Sequence, residues 1–175
     1  MLDYEPAVYC GTYAKYNNGS LYGAWLKFSD YSDAEDFFNA CKELHQDEKD
    51  PEFMFQGFEN FPRDLYFESM DIEECEAIYR YLELCQDHDK DLVDALNDCI
   101  DLDEVEENLD STYYLTDSDD DYSIGEAYID SFGGLEQLDN ATLMQYFDFE
   151  AFGRDLRINS RIIKSSDGKV YYSFY

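Results

Sequence analysis

Apolar and polar positions fall into short runs whose period changes along the chain, and each change marks an element. Val8–Tyr16 is a tyrosine-rich run ending at Asn17-Asn18-Gly19, a tight-turn sequence, so it predicts a strand, a turn and a returning strand over Leu21–Phe28. Ser32 is followed three residues later by Glu35, the spacing of a capping box. The period then becomes helical. Ala34, Phe37, Phe38, Cys41 and Leu44 share one face of a helix that runs to about His45. Pro51 breaks the pattern, and Phe53-Met54-Phe55 through Phe58 predicts a third strand. These elements make a small α+β unit with a boundary at Phe61-Pro62, so residues 1–62 are expected as a first domain.

Helical spacing resumes over Asp71–Cys85, with Ile72, Cys75, Ile78, Tyr79 and Leu82 on one side. After a turn at Gln86–Asp89, a helix is predicted over Asp89–Leu102 with Leu92, Val93, Leu96, Cys99 and Ile100 as its apolar stripe. Leu102–Leu109 reads as a further short helix or an extension, which makes residues 63–110 a central helical domain. Ser111–Leu115 predicts a short strand, Thr116–Asp121 a polar loop, and Ser123–Phe132 a helix broken by Gly133-Gly134. Asp139–Phe147 and Phe149–Ile158 read as helical stretches. Arg161–Lys164 and Val170–Tyr175 flank Ser166-Asp167-Gly168 as a closing hairpin. Residues 111–175 therefore form an expected third domain, and the fold class is α+β in three small domains.

Charge changes the picture. The 175 residues hold 42 Asp and Glu against 12 Lys and Arg, a formal net charge of −30. Such a balance argues against a nucleic-acid binder, which needs a basic face for phosphates, and against adsorption to anionic lipid. A disordered acidic chain would lack aromatics, whereas this one is 18 % aromatic and 45 % hydrophobic. The charge is concentrated: residues 71–130 are net −20 and residues 151–175 are net +3. Two copies can therefore meet at their C-terminal ends without strong repulsion, while two acidic middles would repel, so dimerisation is expected there. The aromatics Tyr146, Phe147, Phe149 and Phe152 are expected to serve the local core. Five cysteines, an odd number without a CxxC, suit free thiols in a cytoplasmic protein. The opening MLDYEPAVYC has no basic and apolar leader pattern, and no apolar run approaches the ~20 residues of a membrane span.

The candidate chemistry is a carboxylate ladder. Asp87, Asp91, Asp94, Asp98 and Asp101 are spaced 4, 3, 4 and 3 apart; the last four form one stripe on a continuous Asp89–Leu102 helix, opposite the apolar face, and Asp87 lies on the same line just before it. Like charges at this spacing cost helix stability, and Lys or Gln would solvate the face equally well. Acid continues at Asp103, Glu104, Glu106, Glu107 and Asp110, then at Asp117, Asp119, Asp120 and Asp121. Duplex DNA carries a charge per ~1.7 Å of axis, so thirty charges correspond to ~50 Å of duplex. A rigid scaffold carrying such a ladder would fill a groove built for phosphates and gain the same attraction.

Rival chemistries fit less well. An EF-hand starting at Asp117 has Tyr122 where Gly is needed and Tyr128 where Glu is needed. Cys41 and His45 share a helix face, but no second pair at zinc spacing follows. His88 lies in a turn, and no GxSxG, P-loop or GxGxxG is present. No enzyme activity, cofactor or resident metal is expected. The alternative to a DNA mimic is an acidic chaperone or buffer for basic proteins or divalent metal.

Tyr9–Ser20 (YCGTYAKYNNGS), Trp25-Leu26, Asp47–Phe55 (DEKDPEFMF) and Phe147–Leu156 (FDFEAFGRDL) resemble the ArdA-type antirestriction proteins over nearly the whole chain. The resemblance implies an elongated homodimer of three small domains that mimics bent DNA. Its implied partner is a type I restriction–modification enzyme, its methyltransferase core and specificity subunit, whose DNA groove it occupies. Restriction is blocked, in some members with modification, so that DNA of conjugative mobile elements is protected. The family's antirestriction motif corresponds to the region around Leu135–Asn159, and its C-terminal part here is Phe147, Asp148, Phe149, Glu150, Ala151, Phe152, Gly153, Arg154, Asp155 and Leu156.

Overall fold

A computed structural model describes residues 5–137 and 144–174. The chain divides into two compact units, Met1–Asp87 and His88–Tyr175. Each has a three-stranded antiparallel sheet with its middle strand supplied out of sequence order.

In the first unit, β1 (Ala7–Thr12) lies between β2 (Ala24–Lys27) and β3 (Phe53–Glu59). The sequence predicted an uninterrupted strand to Tyr16 and a hairpin turn at Asn17-Asn18-Gly19. Instead β1 stops at Thr12, whose hydroxyl accepts from the Lys15 amide at 3.2 Å and caps a short helix, α1 (Tyr13–Asn17). Asn18 then caps its C-terminal end through Nδ2 to the Ala14 carbonyl at 2.8 Å, and Gly19 follows at φ 78°. The capping box is also displaced by one residue. Asp33 is the N-cap of α2 (Ala34–Leu44), accepting from the Asp36 amide at 2.8 Å. The face of α2 is as expected: Ala34, Phe37, Phe38 and Cys41 are buried. Phe37 stacks on Phe28 with ring centroids 4.7 Å apart. The helix α3 (Ile72–Asp87) buries Cys75, Ile78, Tyr81, Leu82 and Cys85, and its Tyr79 hydroxyl donates to the Phe28 carbonyl at 3.1 Å.

In the second unit, β6 (Val170–Phe174) is central between β4 (Tyr114–Thr116) and β5 (Ser160–Lys164). Side chains alternate across a sheet, and each face has its own helices. Tyr172 points to α6 (Asp121–Ser131), donating to the Ile124 carbonyl at 3.1 Å. Lys169, on the opposite face, reaches Asp91 of α4 (Lys90–Asn97), and Arg161 reaches Asn108 of α5 (Leu102–Leu109). The helix α7 (Phe149–Ile158) packs on α6. The expected helix over Asp139–Phe147 falls partly outside the described residues. No helix among the described residues is long and apolar enough to cross a membrane.

The packing of α7 on α6 turns on two glycines. A Cβ at Gly153 would stand 2.7 Å from the carbonyl carbon of Asp121 and 2.8 Å from the Gly125 nitrogen, with the Asp121 oxygen closer still. A Cβ at Gly125 would in turn meet the Phe149 carbonyl. Backbone touches backbone at this crossing, and no other residue type fits without parting the helices.

Candidate partner-binding surface

The predicted carboxylates separate by what surrounds them. The continuous helix expected over Asp89–Leu102 is absent. The helix α4 ends at Asn97, with Asp98 as its C-cap, and Asp101 opens α5 by accepting from the Glu104 amide at 3.0 Å. Aspartates compete as caps, and a new helix axis allows Leu102, Val105 and Leu109 to be buried alongside Val93 and Leu96. The stripe Asp91, Asp94, Asp98, Asp101 is thus divided between one helix, its cap and the next cap, while Asp87 ends α3 in the first unit.

Nor is the ladder free of cations. Lys90 pairs with Asp94 along α4, and Lys169 pairs with Asp91. The Asp91 carboxylate raises the Lys169 ammonium above the ordinary lysine range. Lys164 pairs with Asp119 and holds its carboxyl below the usual range. Arg157 of α7 donates through Nε to Asp121 of α6 at 2.6 Å. Asp120 is the N-cap of α6, and hydrogen bonds from the Ser118 hydroxyl and the Ser123 amide and hydroxyl hold its carboxyl at about 2.

A further group of exposed acids lies on α5. Asp103, Glu104, Glu106, Glu107 and Asp110 are all exposed, opposite the buried Leu102, Val105 and Leu109. Positions 103, 106 and 110, and 104 and 107, are i+3 or i+4 neighbours, ~5–6 Å apart at Cβ. With the exposed Asp98 and Asp101 just before them, they form a carboxylate face over two helical turns. Asn108 lies on the side of α5 nearest β5 and takes Arg161. Lys169, Arg157 and Arg161 thus tie elements of the second unit together.

The segment Phe147–Leu156 serves a different purpose. Asp148 caps α7 by accepting from the Ala151 amide at 2.9 Å. Phe147 packs edge-on to Phe149 and Phe152, with centroids 4.9 and 5.3 Å away. Tyr122 and Tyr128 of α6 meet Phe149 and Phe152 at 5.2 and 5.6 Å. Gly153 makes the helix crossing, and Ala151 and Leu156 are half-buried. Glu150, Arg154 and Asp155 face solvent. The aromatic core expected here includes Phe147, Phe149 and Phe152 but not Tyr146, which is 80 % exposed.

A cluster in the first unit was missed by pattern reading. His45 is fully buried at the C-cap of α2. Its Nε2 lies 3.3 Å from the Cys10 carbonyl oxygen and its Nδ1 lies 2.9 Å from Lys15 Nζ. Lys15 Nζ also reaches Asp47 at 2.8 Å and Glu48 at 3.0 Å, and sits 4.8 Å from the centroid of Tyr22. Thr12 donates to Glu48 at 2.7 Å. An ammonium donates, so Nδ1 accepts and the neutral imidazole bears its proton on Nε2, directed at Cys10. Burial lowers the His45 pKa. The Thr12 hydrogen bond and Lys15 lower that of Glu48. His45, Asp47 and Glu48 have ligand atoms within 4.8 Å of one another, the spacing of a metal site, but the Lys15 ammonium already supplies the cation. The cluster joins two of the segments that carried the family resemblance, Tyr9–Ser20 and Asp47–Phe55.

None of the curated proteins compared with the chain matches it. The family model described as "Antirestriction protein (ArdA)" matches residues 8–171, from β1 to the start of β6. With all but a few terminal residues inside that match, the chain belongs to the ArdA antirestriction protein family.

Proposed function

We propose that the protein is a DNA mimic that occupies the DNA-binding groove of type I restriction–modification enzymes. It blocks restriction of incoming mobile DNA. The observation that carries the reading is the face of α5, where Asp103, Glu104, Glu106, Glu107 and Asp110 are exposed together. Such a face is attracted to a groove that binds phosphates, and the attraction is screened by salt as DNA binding is. The family's description supplies the antirestriction role.

The proposal includes a cytoplasmic homodimer of elongated, three-domain form, joined at its C-terminal ends. In support, residues 151–175 are net +3, and Tyr146 and Ile158 are 80 % and 74 % exposed. Light scattering of wild type and Ile158→Asp tests the interface, and small-angle scattering tests the form. The function is tested by cleavage of unmodified DNA by a type I enzyme in the presence of rising protein. The proposal expects cleavage to stop at stoichiometric protein, and a histone-like basic protein to bind more weakly than the enzyme. Undiminished cleavage at saturation, or equal affinity for both, would overturn it in favour of a general acidic buffer.

A further inference from the structure

The outer face of the first sheet carries the chain's single tryptophan. Trp25 lies opposite Tyr9 in the β1–β2 register, and its ring meets Tyr9 edge-on at 5.7 Å. The indole reaches across β1 to Gly57 on β3, where a Cβ would stand 3.4 Å from its rim. Gly57 leaves room for the ring to lie over the sheet, and Tyr9 is anchored by its hydroxyl to the Leu21 carbonyl at 2.9 Å. Trp25 is nevertheless 47 % exposed. A large aromatic fixed by its neighbours and left open is unusual on a monomer surface and typical of binding hot spots.

The surroundings define what it would bind. Two residues back along β1, Ala7 is flanked in register by Lys27 and Glu59, which puts them on the face of Tyr9 and Trp25. Glu5 holds the Lys27 ammonium at 2.6 Å. Elsewhere in this unit aromatic rings already receive the chain's own cations: Lys15 over Tyr22 at 4.8 Å, and Arg63 over Phe58 and Tyr66 at 5.7 and 5.1 Å. Indole is the strongest such acceptor, and guanidinium the cation most often found on it. The field of a chain at net −30 favours a cation over any neutral group.

We propose that Trp25, braced by Tyr9 and Gly57, is a platform for an arginine side chain of a basic protein partner. It takes the guanidinium by cation–π contact. The inference rests on the proposed function only for the basic character of the partner. Its test uses no restriction enzyme, so the two fail separately.

The chain is labelled with 5-fluorotryptophan, which gives one ¹⁹F resonance at the native side chain. It is titrated with a tetra-arginine peptide and, separately, with tetra-citrulline, its neutral near-isostere, at physiological salt. The expected result is a saturable displacement of the resonance by tetra-arginine and none by tetra-citrulline. In Tyr9→Ala, where the ring loses its brace, a higher peptide concentration is needed for the same displacement. An unmoved resonance with tetra-arginine, or equal displacement by both peptides, overturns the proposal.

Discussion

Replacing Gly153 by alanine should part α7 from α6. The new methyl group would meet the Asp121 carbonyl carbon at 2.7 Å and the Gly125 nitrogen at 2.8 Å, both main-chain atoms of α6. Ordinary contact begins near 3.4 Å, so the helices must separate by ~0.7 Å at least, and further for the nearer Asp121 oxygen. Overfilling a packed core costs about 1–3 kcal/mol, and here the upper end applies because no neighbour is a side chain that can rotate away. The substitution gains ~1 kcal/mol of helix propensity, leaving a net loss of about 2 kcal/mol. At a urea slope of 1–3 kcal/mol per molar, the midpoint should fall by about 1 M. Far-UV circular dichroism reports the loss, while Trp25 fluorescence follows the first unit and should change little. A midpoint equal to or above that of wild type would refute the backbone crossing, since an unobstructed helical glycine is stabilised by alanine.

Acidification should weaken the first unit through His45. Its folded pKa lies below the unfolded value of ~6.5, so the neutral ring has no cost above that pH. Below it the unfolded chain takes a proton that the folded chain refuses, and stability falls with pH. The His45→Asn variant should lose this segment of the urea-midpoint profile between pH 6.5 and 5, and an unchanged profile would contradict the buried neutral ring. Lys169→Met should lower the thermal midpoint of the second unit, because Asp91 and Asp167 lose their shared cation, and raised salt should narrow the difference from wild type. On α5, Glu107→Gln alone should change affinity for a type I enzyme no more than about fivefold, since an exposed pair is worth ~1 kcal/mol or less. Exchange of Asp103, Glu104, Glu106, Glu107 and Asp110 together should weaken it at least a hundredfold. Loss of inhibition from any one exchange would point to a localised hot spot instead.

Much of the secondary structure was legible because its cause is local. The stripe of α2, the Cys75, Ile78 and Leu82 positions of α3 (though not Ile72, which is exposed), the strand at Phe53, the Gly133-Gly134 stop and the final hairpin follow from spacing and turn chemistry alone. The N-terminal hairpin was misread because Asn18-Gly19 suits both a hairpin turn and a helix end. The choice is set by Thr12 as cap and by Lys15, which must turn inward to reach His45, thirty residues away. The ladder was misread for a related reason. Its spacing is that of one helix, yet each aspartate is also a cap former, and Asp98 and Asp101 act as caps. The cations that meet Asp91 and Asp121 come from Lys169 and Arg157, remote in sequence and brought close only by the sheet and the α6–α7 crossing. The same distance concealed the partnership of Gly125 with Gly153. Where acids are confined to an outward helical face, as on α5, sequence and structure agree.

The central claim is that this protein takes the place of duplex DNA. It is tested most directly by equilibrium competition, with a labelled duplex carrying the recognition site bound to a type I methyltransferase and the unlabelled protein titrated in. The account predicts complete displacement of the duplex, at concentrations that rise with salt as they do for DNA itself. A ternary complex in which enzyme, duplex and protein coexist at saturation would contradict it.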